Sequence, residues 1–455
     1  MDICVVGGAG YVGLVTGLGL AETGHQVVNV DLDQNKVERL KQGCSPIFEE
    51  GLEPVLRRNL DAKRIRFVTN LDEGVADSQV IIIAVGTPSK LDGQADLSAV
   101  IQVAEALVKH LDQYRVVVIK STVPVGAVEL VRSILSRDRR EGVDFDIVSN
   151  PEFLSEGRGL YDFFYPDRIV VGTGSEKAMQ VMREMAAPVI LRKVYWKEGG
   201  PRPQATQPVP VVETSLASAQ MIKYASNAFL ATRVSFINEI AWLCERVGAD
   251  VKEVARGMGY DPRIGPSYLQ AGLGFGGPCL EKDLRALIKI AEANGYEPQL
   301  MCSVLDQNER QIDHVMNRLK DMVGYLLYQR IITVFGLAFK ANTNDVRSSQ
   351  SLKVIDRLEK EGAAVRCHDP LAVPEAREIA PKRTYVEDPY EAVRQADALL
   401  ILTEWPQYVA LDYRLIRERM ANPCVIDTRN ILNANAMRSL GFTYAGIGVT
   451  RRVTS

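Results

Sequence analysis

"GGAGYVG", residues 7–13, sets Gly8, Gly10 and Gly13 in a Gly-x-Gly-x-x-Gly spacing directly behind the apolar run "ICVV". Glycines at this spacing let a chain turn tightly from a strand into a helix. Backbone amides of the first turn, beside Val12, then approach a diphosphate at the helix N-terminus. Alone the pattern is a weak signal. Here "GLVTGLGLAETG" continues as a helix closed by Gly24, and the following strand, "QVVNV", leads into Asp31. A carboxylate about 20 residues beyond the glycines is placed to hold a ribose 2′-hydroxyl. Asp31 also repels a 2′-phosphate, so the stretch predicts NAD rather than NADP, with Lys36 close enough to add a donor. A glycine turn holding no ligand is the plainer alternative.

The same rhythm runs outward through "VIIIAVG", "RVVVIKS", "FDIVSN" and "RIVVGTG". Short apolar runs alternating with helical patterns predict βαβ units and a parallel sheet. The rhythm stops at "KEGGPRPQATQPVP", residues 197–210, which reads as a surface loop at a domain edge. Next comes "LASAQMIKYASNAFLATRVSFINEIAWLCERVG", whose 3.6-residue periodicity is long enough for a spine helix between domains. Helices continue to about residue 328, and the βα rhythm returns with "RIITVFG", "AAVRCHDP", "DALLILTEW" and "CVIDTRN". The expected fold class is α/β, with two Rossmann-like doubly wound domains joined by a long central helix. The expected domains are residues 1–200, 211–310 and 325–455.

At 455 residues the chain exceeds one ordinary core. With 46% hydrophobic and 24% charged residues and a net charge of −3, no nucleic-acid partner is expected. No apolar run reaches the length of a membrane span. The opening strand leaves no room for a signal peptide, and seven singly scattered cysteines without a CxxC pair fit a reducing, cytoplasmic setting. His25, His110, His314 and His368 lack metal-ligand spacing, so no metal is expected and acid–base work falls to other residues.

Three strand ends carry polar turns: Gly86 and Thr87, Ser121 and Thr122, and Glu152 and Glu156. Ligands gather at the carboxyl ends of strands in an open parallel sheet, although the same residue types also serve turns and helix caps. In "MIKYASNAF", Lys223 and Asn227 share a helix face among Met221, Ile222, Ala225, Phe229 and Leu230. Two donors on an apolar stripe suit a developing oxyanion. The spacing equally suits a lysine reaching to solvent beside a satisfied asparagine. In "GLGFGGPCLEKD", residues 272–283, Pro278 fits the first position of a helix. Cys279 is then in the first turn, where free amides and the helix dipole lower a thiol's pKa. Asp283 follows one turn later, Lys282 adds positive charge, and Gly274, Gly276 and Gly277 keep side chains out of the approach. That is the setting of a nucleophile rather than of a filler thiol such as Cys244.

The whole chain resembles the UDP-glucose/GDP-mannose dehydrogenase family. "GFGGPCLEKD" is similar to its nucleophile motif, "AQMIKYASNAFLA" to its central helix, and "KSTVP" and "NPEFLSEG" to its strand-end loops. "GLAFKANTNDVRSS" and "VIDTRN" resemble its nucleotide-sugar segments. The resemblance implies a four-electron oxidation of a C6 alcohol to a carboxylate with two NAD per turnover. UDP-glucose is the implied substrate, with UDP-N-acetylmannosamine or GDP-mannose as alternatives. Cys279 then attacks an aldehyde, and the thioester formed after a second oxidation is hydrolysed. Lys223 and Asn227 stabilise oxyanions, Asp283 and Thr122 activate water, and Glu152 and Glu156 lie beside sugar and nicotinamide. The substrate set comprises Glu152, Phe153, Leu154, Glu156, Tyr268, Leu269, Gln270, Ala271, Gly272 and Gly276, with Lys340 and Arg429 at the UDP. The cofactor set adds Thr87, Thr122, Glu156, Lys282 and Arg347 to the glycines, Val12, Asp31 and Lys36. Arg263 is implied to reach a neighbouring subunit's site, hence a homodimer or larger homo-oligomer built on a helical dimerisation region. Gln220 stands where the family commonly has glutamate, and Glu281 where an uncharged residue is usual. A β-hydroxyacid dehydrogenase shares the domain order but needs no thiol. A non-catalytic NAD-binding scaffold would lack at least one of Lys223, Asn227, Cys279 and Asp283.

Overall fold

The computed structural model describes residues 1–90, 92–194, 196 and 207–449. Most of the proline-rich stretch at 197–210 therefore lies outside the described residues. The chain packs as two compact units, Met1–Ser226 and Asn227–Ser455.

The first unit is built on an eight-stranded sheet. Its strands are β1 (Asp2–Val6), β2 (Gln26–Val30), β3 (Ile65–Val68), β4 (Val80–Ile83), β5 (Arg115–Ile119), β6 (Phe145–Ser149), β7 (Ile169–Gly172) and β8 (Val211–Thr214), in the order β3-β2-β1-β4-β5-β6-β7-β8. Order reverses between β1 and β4, the crevice where open α/β sheets bind ligands. The central strands read as unbroken apolar runs because helices cover both faces. In β4, Ile81, Ile82 and Ile83 are at most 1% exposed, each stabilising the fold by roughly 1.5–3 kcal/mol relative to exposure. The largely parallel sheet expected from the sequence has one antiparallel step. β6 and β7 pair antiparallel, through Ser149 and Gly172, before β7 and β8 pair parallel.

The second unit carries a six-stranded, all-parallel sheet. It comprises β9 (Ile331–Phe335), β10 (Ala364–His368), β11 (Thr384–Tyr385), β12 (Ala398–Ile401), β13 (Cys424–Asp427) and β14 (Thr443–Gly446), ordered β11-β10-β9-β12-β13-β14. Its core also takes in helical residues. Ile237, Ala241 and Cys244 of the central helix (Leu216–Val247) and Val315 and Leu319 of the helix Gln299–Val323 cluster with Ile332, Val334 and Leu400. The central helix runs unbroken for 32 residues.

The cysteine helix starts later than the sequence suggests. It spans Leu280–Ala293, with Cys279 as its N-cap rather than Pro278 as its first residue. Gly277 at φ +84° turns the chain, and its N–H donates to the Ser348 carbonyl at 3.3 Å. That anchor keeps Pro278 and Cys279 in a turn.

Candidate active site

At the cofactor end the glycines have different physical reasons. A Cβ on Gly13 would stand 2.1 Å from the Gly7 carbonyl, and one on Gly8 would overlap Asn29. Both are forced by close packing of turn, strand and helix. Gly10 is not, because a Cβ there would meet only the Gly7 carbonyl at 3.4 Å. Its bareness leaves a cradle at the start of the helix Tyr11–Glu22, where no side chain caps the first-turn amides. Asp31 Oδ2 accepts from Ala9 N–H at 2.9 Å, which ties the strand end to the turn. A dinucleotide's diphosphate and ribose fit these groups. Val12 lies half-buried in the first helical turn. Lys36 is exposed and pairs with Asp33 at 3.7 Å. Thr87 is buried and donates to the Thr122 carbonyl at 2.8 Å, while the Ser121 hydroxyl donates to the Ile83 and Val85 carbonyls. Ser121 thus serves the turn.

The central helix carries Lys223 into the interior rather than to solvent. Its Nζ donates to Glu152 Oε1 at 2.9 Å, and both side chains are at most 7% exposed. Burial pushes the Glu152 carboxyl up. The Lys223 ammonium, a hydrogen bond from Leu154 N–H and nearby Lys120 outweigh that and hold it below the usual carboxylate range. Phe153 stacks under Arg168 at 3.6 Å, with Lys223 5.4 Å from the same ring. Glu156 is half-buried in the turn that follows.

In the second unit Asp283 is 1% exposed and collects two charged or polar donors. Asn227 Nδ2 reaches one oxygen at 2.6 Å, and Lys282 Nζ reaches the other at 2.6 Å. Asp283 N–H also donates to the Cys279 carbonyl at 2.9 Å, which fixes the carboxylate one turn beyond an exposed thiol. By contrast, burial pushes the Cys4, Cys367 and Cys424 thiols up to about 12. The protein thus presents a thiol at a helix start, where free amides stabilise a thiolate.

The glycines ahead of Cys279 do not simply clear its approach. A Cβ on Gly274 would stand 2.4 Å from Asn308 Oδ1, one on Gly276 2.8 Å from the Ser348 carbonyl, and one on Gly277 2.7 Å from the Phe339 ring. They let the loop thread between the helix Gln299–Val323 and other loops of the same unit. Gly272 likewise presses on the Thr428 carbonyl beside Arg429. Tyr268 holds left-handed backbone at φ +60°, as do Asn342, Ser348 and Asn430 in the surrounding loops. Strain of this kind persists only where neighbours enforce it. Leu269 and Ala271 are buried and Gln270 is exposed. Arg429 donates to the Leu402 carbonyl at 2.7 Å and pairs with Glu404 at 3.2 Å. Lys340 lies beside the Phe339 ring. Arg347 pairs with Asp345, and Arg263, 87% exposed, pairs with Asp261.

Sequence reasoning passes over the residues that hold this loop. Asn238 accepts from Gly272 N–H at 2.8 Å, and Gln311 donates to the Gly272 carbonyl. Asn308 both accepts from Phe275 N–H and donates to its carbonyl, and Gln350 donates to that carbonyl too. The available signal is amides on otherwise apolar helix faces, Asn308 and Gln311 being one turn apart. In the first unit Lys120 and Asn150 are missed. Both departures from the family pattern make local contacts, although the buried Gln220 Nε2 has no hydrogen-bond partner among the described residues. Gln220 accepts from Gly126 N–H at 3.2 Å, and Glu281 pairs with Arg285 and Lys353.

A dinucleotide turn opening a doubly wound sheet, a buried Lys–Glu pair and an exposed helix-start cysteine define the class as an α/β dehydrogenase. Comparison with known proteins is more specific. Residues 1–190, 217–310 and 333–434 match the NAD binding, central and UDP binding domains of the UDP-glucose/GDP-mannose dehydrogenase family. The chain is 43% identical over 442 residues to the UDP-glucose 6-dehydrogenase TuaD of Bacillus subtilis, covering 97% of this chain and 92% of the relative. It is 43% identical over 461 residues to the UDP-glucose 6-dehydrogenase of Pseudomonas aeruginosa, covering 99% and 98%. The solved UDP-glucose dehydrogenase of Pyrobaculum islandicum superposes with TM-score 0.88 at 39% identity, covering 98% of both chains. The UDP-D-ManNAc dehydrogenase of Pyrococcus horikoshii does so with TM-score 0.83 at 26% identity, covering 98% and 99%. The chain belongs to the UDP-glucose/GDP-mannose dehydrogenase family, and NAD is the cofactor of its first sheet. Among the described residues no helix is long and apolar enough to cross a membrane.

Proposed function

We propose that the protein is a UDP-glucose 6-dehydrogenase, converting UDP-glucose, two NAD and water to UDP-glucuronate, two NADH and three protons. The observation that carries this reading is Cys279, an exposed thiol one turn ahead of a buried Asp283 held by Asn227 and Lys282. Simple alcohol oxidation has no use for that arrangement. Bound NAD supplies the hydride acceptor for each of the two oxidations. The chain's own residues do the rest. Lys223 and Asn227, one turn apart on the central helix, donate to the C6 oxygen as it gains negative charge. The Cys279 thiolate adds to the aldehyde carbon, giving a thiohemiacetal with a hydride still to lose. Loss of that hydride leaves a thioester. Asp283, with Thr122, orients and deprotonates the water that displaces the thiolate. Tyr268 to Gly272 and Gly276 would hold the sugar and phosphates, with Lys340 and Arg429 at the UDP. Residues 1–200, 211–310 and 325–455 then serve as cofactor, catalytic and UDP-sugar parts. The absence of disulfides among the described residues supports a cytoplasmic setting. NADH release measured against UDP-glucose, UDP-N-acetylmannosamine and GDP-mannose tests the substrate, with UDP-glucose expected to give the highest kcat/KM.

Cofactor choice follows from Asp31. NAD is expected to be used at least about tenfold better than NADP, and Asp31→Asn to narrow that ratio through loss of the charge that repels a 2′-phosphate. Equal kcat/KM for both cofactors in the wild type would contradict this role.

A homodimer is supported by the central helix, whose Phe229, Phe236, Leu243 and Val247 are exposed apolar residues at seven- and four-residue spacing. Arg263 would complete the neighbour's site. Inactive Arg263→Ala and inactive Cys279→Ala proteins, mixed under conditions that exchange subunits, are expected to recover up to about a quarter of the wild-type rate. Half of randomly re-formed two-fold dimers then carry one intact composite site. No recovery after verified exchange would place the arginine's action within its own chain.

A further inference from the structure

Lys120 follows β5 directly and has no part in the mechanism above. Its Nζ donates to Asn150 Oδ1 at 3.1 Å, and Asn150 is itself fixed by a 2.8 Å hydrogen bond from its Nδ2 to the Val170 carbonyl. Lys120 and Glu152 line the same cavity of about 320 Å³, whose walls include Leu20, Ile82 and Met185. Lys120 is half-buried, and burial governs its ammonium. Burial pushes its pKa down to about 8, with Lys223 pushing the same way and Glu152 opposing.

The arginines facing this cavity have partners of their own. Arg158 pairs with Asp162 at 2.8 Å, and Arg192 donates to the Gln207 carbonyl at 2.8 Å. Arg168 feels both Asp167 and Glu152 but lies over the Phe153 ring. The Glu152 carboxylate therefore lies in the field of two buried ammoniums and of the half-buried Arg168 guanidinium, while bonding directly to one cation, Lys223.

This matters once Lys223 acts as an oxyanion donor, a reading that rests on the proposed function. Lys223 must then turn part of its hydrogen bonding from Glu152 to the substrate oxygen. A buried carboxylate that loses its directly bonded cation is disfavoured unless other positive charge compensates. Without the Lys120 charge, Lys223 would be held more tightly on Glu152. We propose that Lys120 is a positioning residue that keeps Glu152 ionised and in place while Lys223 turns its ammonium to the substrate oxygen. The excess positive charge of the trio is balanced when the oxyanion forms.

The test compares Lys120→Met and Lys120→Arg with the wild type in kcat, KM for UDP-glucose and melting temperature, from about pH 6.5 to 9.5. Lys120→Met is expected to lose on the order of tenfold in kcat below pH 8, less than the roughly 10²–10³ of a direct oxyanion donor, with KM little changed. The wild type's advantage should shrink as pH rises through about 8, because Lys120 is then neutral in the wild type as well. Lys120→Arg, charged throughout, should keep most of the rate and hold it to higher pH. Wild-type kcat in Lys120→Met would overturn the proposal. So would equal losses in both variants that follow melting temperature and ignore pH, which would mark a packing role alone. A wild type inactive on UDP-glucose but active on another nucleotide sugar would refute the substrate assignment instead, and the same variants are then read with that sugar.

Discussion

Cys279→Ala will make no UDP-glucuronate, and its second oxidation will fall by at least about 10³-fold, within the range lost when a covalent nucleophile is removed. A hydride acceptor alone takes an alcohol to an aldehyde. The next oxidation needs an adduct that still carries a hydride, and the thiol supplies it. Cys279→Ser is the sharper variant. A serine ester is less activated towards water than a thioester, so hydrolysis becomes the slow step. A sugar-nucleotide ester should then accumulate on the protein and appear by intact mass. No buried cysteine can substitute, because burial pushes the Cys4, Cys367 and Cys424 thiols up to about 12. Both variants turning over near the wild-type rate would reduce the exposed thiol to filler.

Lys223→Ala is expected to lose about 10²–10³ in kcat, the usual cost of removing one oxyanion donor. It also removes the direct partner of Glu152, so stability should fall, by up to about 3–5 kcal/mol where a buried charge is left alone. Lys120 nearby reduces that loss. The pH dependence has a definite sign. A carboxylate whose folded pKa is depressed contributes stability that is present above its unfolded pKa and lost as pH falls through the folded one. In Lys223→Ala the Glu152 carboxyl is less depressed, so the acid-side loss of stability, which begins at the unchanged unfolded pKa, should be smaller and complete at a higher pH. Melting curves from about pH 3 to 7, set beside kcat, separate the two effects. A variant within threefold of wild-type kcat would exclude Lys223 as a donor.

The parts legible in the sequence are those where one local rule decides. Glycine spacing behind an apolar strand and a 32-residue helical period leave little choice of backbone. β3 and β11 were harder to read because "IRFV" and "TY" are short edge strands with an exposed residue each. The antiparallel step at β6 and β7 rests on tertiary pairing that no local pattern encodes. The glycines at 274, 276 and 277 looked like an open approach. Their real constraint comes from Asn308, Ser348 and Phe339, which lie 34, 72 and 62 positions downstream of Gly274, Gly276 and Gly277 respectively. Lys120 escapes sequence reading for a related reason, since a lysine at a strand end reads as solvated until the fold shows Asn150 and Glu152 around it.

The central claim is a four-electron oxidation through Cys279, and the ratio of NADH formed to UDP-glucuronate formed tests it most directly. With limiting UDP-glucose and excess NAD, two NADH per UDP-glucuronate are predicted, with no free aldehyde trapped by hydroxylamine. One NADH per sugar, with an aldehyde captured in equal amount, would contradict the account.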